Sequence, residues 1–221
     1  MKYVTTVKDY GFDVPRQKYA LVICGHGGKV WQTKRLVRTL RGDGYAVEVI
    51  DHIPDTLSNG DPLMLPGLIE EVYGLAVALR ERVKQPILIV GFSLGALIAT
   101  NIVRRDKKFE KAVLITGGDI AKAVLRLPTK DQWVQSYEEL AEMWKPVNMY
   151  SEPGSLDHAS IVMILPVRDQ LIDPEDVRVE AKKHKKFILI EPRHFAHAGT
   201  VVDETILRPK RILKYIQMLN E

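Results

Sequence analysis

The chain has one cysteine, Cys24, among 221 residues, so no intrachain disulfide can form and a disulfide-stapled fold is excluded. No window approaches ~18 uninterrupted apolar residues, and no transmembrane helix is expected. The opening Met1-Lys2-Tyr3-Val4-Thr5 lacks the apolar stretch of a signal peptide, and the cytoplasm is the expected location. Internal repeats and low-complexity segments are missing as well. Neither G-x-G-x-x-G after the first apolar run nor G-x-x-x-x-G-K-[ST] anywhere occurs, which argues against a nucleotide site. The glycine turn Gly25-His26-Gly27-Gly28 keeps a nucleotide-binding α/β protein as a rival reading. His26, His52 and His158 show no metal-ligand spacing.

What is present is ordinary for a globular protein. The formal net charge is only +4, so charge alone names no partner. The densest basic run, Lys182-Lys183-His184-Lys185-Lys186, reads as a solvated helix end before a strand. No aromatic platform or binding motif accompanies it, so nucleic acid is not an expected partner, although an anionic substrate or surface could be attracted. The length suits one domain over 1–221.

Short apolar runs alternate with helical spacing. Residues 3–16 read as one or two short edge strands. Buried strands are expected at Tyr19–Cys24, Tyr45–Ile50, Pro86–Val90, Ala112–Ile115, Ile161–Leu165 and Phe187–Ile190. Helices are expected at Val30–Leu40, Leu68–Val83, Leu94–Arg105, Pro174–Lys183 and Asp203–Leu219, with a loop over Asp51–Pro66. Glu70 and Glu71 would then fall in a first helical turn, where acidic side chains complement the helix dipole. The alternation predicts an α/β fold, a mainly parallel sheet with helices on both faces. Residues 117–157 break the rhythm and read as a short helical insertion. Its Trp133, Tyr137 and Trp144 would either pack it onto the fold or form a lid.

Gly91-Phe92-Ser93-Leu94-Gly95 lies between an expected buried strand and an expected helix. That context fits a G-x-S-x-G elbow, in which a sharp turn exposes the serine hydroxyl at the carboxyl edge of the sheet. The bland alternative is a serine N-cap. A serine hydroxyl needs a base, a group to orient the base, and donors for the developing oxyanion.

Here the chain resembles the α/β-hydrolase superfamily, over roughly residues 20–219. Gly25-His26-Gly27-Gly28 resembles the family's oxyanion loop, which implies that the backbone N–H groups of Gly28 and Leu94 receive the oxyanion and that His26 shapes the loop. Arg168-Asp169-Gln170-Leu171-Ile172-Asp173-Pro174 resembles the acid-bearing loop and implies Asp169 as the acid. Pro166 replaces the usual glycine, and Asp173 and Asp119 remain competitors, Asp173 fitting better as an N-cap. Arg193-His194-Phe195-Ala196-His197 resembles the family's G-H-F-x-H segment, with arginine for glycine. It implies His194 as the base, with His197 as the alternative.

The order Ser93, Asp169, His194 is the family's order of nucleophile, acid and base. The resemblance implies a serine hydrolase acting on a small carboxylic ester, with thioesters and small amides open to the same machinery, and with no metal or organic cofactor. A non-catalytic relative used for binding is the other alternative. Cys24, inside a strand, reads as a small buried apolar group.

Overall fold

Segments apolar on both faces become the middle of a parallel sheet, because both faces must be covered. The computed structural model describes residues 4–12, 18–26, 30–52, 63–124, 126, 137–149 and 156–220. Its strands are β1 (Val4–Tyr10), β2 (Lys18–Ile23), β3 (Tyr45–His52), β4 (Ile87–Phe92), β5 (Lys111–Ile115), β6 (Ser160–Ile164) and β7 (Phe187–Ile190). They form one seven-stranded sheet in the order β1-β3-β2-β4-β5-β6-β7. Only β1 runs antiparallel, on the outer side of β3.

Residues of alternating parity feed two separate cores. Leu21, Ile23, Ile89, Leu114 and Met163 face one side, covered by α2 (Met64–Val83) and α3 (Leu94–Arg105). Ala20, Val22, Val90, Val113 and Val162 face the other, covered by α1 (Lys34–Gly42) and α8 (Arg211–Met218). Each fully buried Leu or Ile contributes ~1.5–3 kcal/mol, so the helices are held by the sheet more than by their own propensities. α3 is buried from Leu94 through Val103 and fixes the segment that follows β4. The sheet is therefore mainly parallel and clad on both faces, as expected. Among the described residues no helix is long and apolar enough to cross a membrane.

Several boundaries differ from the expected ones. α2 begins at Met64, taking in Pro66, because a first-turn residue has no intrahelical use for its N–H. Glu70 and Glu71 consequently lie beyond the first turn, where Glu71 accepts a hydrogen bond from the Val4 amide (3.2 Å). The single helix expected from Asp203 is instead two pieces, and a further helix precedes them, so the region holds three. They are α7 (His197–Val202), a π turn over Asp203–Leu207, and α8 after Arg208-Pro209. Pro209 has no N–H and pushes Arg208 out of the helical region (φ −127°, ψ 48°). Between β5 and β6 the described residues form α4 (Ile120–Val124), α5 (Tyr137–Trp144) and a 3-10 turn, Lys145–Val147. α6 (Pro174–Ala181) follows β6, and Asp173 caps it by accepting from the Glu175 amide (3.0 Å).

Candidate active site

The chain passes from β2 to β3 on one side and returns to β4 on the other. Where the order reverses, the segments leaving neighbouring strands part and leave a crevice at the carboxyl ends. Gly25 and His26 leave β2 there, and Ser93 leaves β4.

Ser93 sits at φ 54°, ψ −121°, a conformation that costs a non-glycine residue ~1–3 kcal/mol. Its amide donates to the Ile115 carbonyl (2.8 Å), and its carbonyl accepts from the Ala96 amide (2.9 Å). The flanking glycines are sterically required. A Cβ on Gly91 would run into the backbone of Gly95, and one on Gly95 into the carbonyls of Ile23 and Cys24. A Cβ on Gly25 would lie 2.8 Å from the Phe92 carbonyl oxygen. Ser93 occupies the N-cap position of α3, yet its side chain makes no capping hydrogen bond. Its Oγ lies 2.9 Å from Nε2 of His197 instead. The serine is therefore not a helix cap.

His197 Nδ1 faces the Asp169 carboxylate, 2.8 Å from Oδ2 and 3.0 Å from Oδ1. The Asp169 side chain is fully shielded from solvent, and that of His197 is nearly so. Oδ1 also accepts the amides of Leu171 and Ile172, both at 2.9 Å, which fix the direction in which the carboxylate points. The loop carrying it closes on Pro166, whose carbonyl accepts from the Asp169 amide (3.2 Å). That turn uses the proline's oxygen, so the missing N–H and the missing glycine cost it nothing. Gln170 Oε1 accepts from the His197 amide (3.3 Å), tying the acid loop to the base.

Ser93, Asp169 and His197 are thus brought together, and His194 is not. His194 is exposed. β7 ends at Ile190, the chain runs on through residues 191–196, and only His197, the first residue of α7, turns inward. The expected base is corrected to His197. Asp173 pairs with Arg126 (2.9 Å) besides capping α6, and Asp119 accepts from the Lys122 amide (3.0 Å). Both competitors are engaged elsewhere. Leu94 lines the cavity as the first residue of α3, where an N–H has no intrahelical acceptor. Gly28 lies outside the described residues, as does Trp133.

Ser93 and His197 open on a cavity of about 400 Å³. Its walls are mainly apolar and include Leu97, Ile120, Ala123, Trp144, Ile172 and Val201. Trp144 is fully buried and so packs α5 onto the core while also forming cavity wall. Thr116, after β5, was not anticipated. It has φ 57° despite β-branching, and its buried Oγ1 has no hydrogen-bond partner among the described residues. Positive φ at a β-branched residue leaves no sequence signal. Cys24 is buried, and burial first and the nearby Asp51 second push its thiol far above the usual range. Such a thiol stays protonated and is a poor nucleophile. Among the described residues no three His, Cys, Asp or Glu side chains are grouped to hold a metal ion.

No family model matches the sequence, and no curated protein matches it. Solved structures do resemble it. The esterase domain of a Rhodothermus marinus protein is 15% identical, with a TM-score of 0.65 over 95% of this chain and 97% of that one. A Pyrococcus furiosus esterase is 20% identical, with a TM-score of 0.64 over 92% and 84%. A Paleococcus ferrophilus monoacylglycerol lipase is 14% identical, with a TM-score of 0.68 over 100% and 99%. At these identities the likeness is one of fold: the chain has the α/β-hydrolase fold.

Proposed function

We propose that a chain with this fold and this Ser–His–Asp arrangement is a serine hydrolase that cleaves a carboxylic ester through an acyl-enzyme. The observation that carries the reading is the continuous Ser93–His197–Asp169 hydrogen-bonded chain at the mouth of an apolar cavity. His197 Nε2 takes the Ser93 proton as Oγ attacks the ester carbonyl. Asp169 fixes the tautomer with the proton on Nδ1 and stabilises the imidazolium. The Leu94 N–H supports the oxyanion, with Gly28 as the second donor suggested by its sequence context. The imidazolium then returns its proton to the departing alkoxide, which leaves as alcohol. Water, deprotonated by His197, attacks the acyl-Ser93, and collapse releases the acid and restores the hydroxyl.

The cavity lies within the ~300–1,000 Å³ range of small-molecule sites, and its apolar walls suit an unbranched acyl chain of moderate length. The named activities of the structural neighbours, esterases and a monoacylglycerol lipase, favour the same bond class. In this reading 1–221 is one hydrolase domain, and 117–157 is an insertion that walls and caps the acyl cavity. The test is hydrolysis of p-nitrophenyl esters of rising chain length by wild type and Ser93→Ala. Loss of ~10⁴-fold or more in kcat is expected. Full activity in Ser93→Ala would overturn the assignment.

A further inference from the structure

The charge of this chain is less evenly spread in space than along the sequence. Segments 34–41 and 203–214 contain eight of its 32 Lys and Arg but two of its 28 Asp and Glu. The fold brings these distant segments together, packing the π turn against α1. Between them lies an open groove of about 630 Å³ lined by Arg35, Arg38, Arg208, Lys210 and Arg211 over an apolar floor of Ile206, Leu207 and Pro209.

The groove is organised from beneath. Asp203, nearly fully buried, accepts Arg208 Nε (2.6 Å) and Nη2 (2.5 Å) and Arg211 Nη1 (3.1 Å). Glu204, also buried, accepts Arg211 Nη1 (3.0 Å) and the Tyr215 hydroxyl (3.1 Å). The Arg208 guanidinium lies 5.7 Å from the centre of the Phe195 ring. These contacts fix two guanidinium forks and still leave each with further N–H donors. Arg35 is held by the Ile206 carbonyl (3.2 Å), a neutral acceptor that cancels no charge. Arg38 and Lys210 are exposed and form no ion pair among the described residues. Five cations thus face two carboxylates, both engaged from below.

The turn that builds the groove is itself unusual. π turns are rare and recur at functional sites, and this one follows directly on the helix that begins with His197. Four of the five cations are arginines, whose planar forks match the oxygens of a phosphate better than a point charge does.

We propose that this groove is a binding site for a phosphate-bearing ligand, separate from the acyl cavity. The phosphate belongs either to a small soluble phosphorylated compound or to the headgroup of an anionic phospholipid. The site stands independently of the hydrolase reading, since its evidence lies on other side chains.

The experiment is calorimetric titration with sodium pyrophosphate, beside sedimentation with vesicles of phosphatidylglycerol and phosphatidylcholine. It compares wild type, Arg38→Ser/Lys210→Ser, and a charge-matched control, Lys182→Ser/Lys186→Ser, whose residues do not line the groove. All four positions are exposed, so equal melting temperatures are expected without ligand; Arg38→Gln/Lys210→Gln replaces the serine pair if melting falls. Pyrophosphate binding weakened tenfold or more by the groove pair, and unchanged in the control, supports the site and a soluble ligand. Vesicle binding alone with the same dependence supports the site and a headgroup ligand. No binding to either probe, or equal loss in both variants, overturns the proposal.

Discussion

Replacing His197 and His194 separately by alanine distinguishes two histidines three residues apart. His197 supplies the nitrogen 2.9 Å from Ser93 Oγ and the one 2.8 Å from Asp169. Without it the hydroxyl has no base, while Leu94 and the other cavity walls persist. Losing the base of such a unit costs ~10⁴–10⁶ in kcat, about 5–8 kcal/mol of transition-state stabilisation. The fold loses far less. Asp169 keeps the amides of Leu171 and Ile172, so removing its histidine partner costs ~1–3 kcal/mol of stability. At ~2–4 °C per kcal/mol for a chain of this size, melting falls by several degrees and the protein stays folded at 25 °C. His194→Ala removes an exposed ring and leaves activity within about twofold. Ester turnover, and fluorophosphonate labelling read by peptide mass spectrometry at Ser93, measure both variants. Labelling that survives His197→Ala and disappears with His194→Ala would refute the geometry.

Other expectations follow from contacts already described. Gly95→Ala forces a methyl into the carbonyls of Ile23 and Cys24, and overpacking of this kind costs ~1–3 kcal/mol; thermal melting should fall, and unchanged melting with full activity would count against the tight elbow. Thr116→Val removes a buried hydroxyl that has no partner among the described residues, so stability should stay level or rise slightly in urea unfolding. Glu48 is pushed up to about 7 by burial first and then by Asp9, directly opposite it on β1, against the pull of Arg82. The native state then holds a proton that the unfolded state has released between pH 4.5 and about 7, so stability falls as pH rises through that window. With Arg82 and Asp9 facing water, the loss is ~1–2 kcal/mol, and Glu48→Gln should flatten it in urea melts across that range.

The inner strands were legible because they are short runs apolar on both faces, bounded by turn residues and too brief for helices. Ser93 was legible because its glycines are fixed by backbone collisions, and such constraints leave a spelling in the sequence. Asp169 could be read from its loop despite Pro166, since the turn needs only that residue's oxygen. The base was harder. Thr200-Val201-Val202 are weak helix formers, and the spacing predicts a helix only from Asp203, so nothing in the sequence marks His197 as a helix start. Tertiary packing starts it at His197, which aims that ring inward. The cationic groove was invisible for a different reason: its halves are some 170 residues apart, as in the Arg35–Ile206 contact, and the conspicuous lysine run after α6 lies outside it.

That lysine run bears on how copies of the chain meet each other. Among the described residues β7 is an edge of the sheet, four residues long, with no further described strand beside it. Such an edge is a template for strand addition and for aggregation. Exposed Lys185 and Lys186 stand just before it, and exposed Arg193 three residues past its end. A second copy adding its own β7 would have to bring like charges together at both ends of a very short ladder. The basic residues thus place like charge at both ends of the ladder that such an addition would form, which disfavours it.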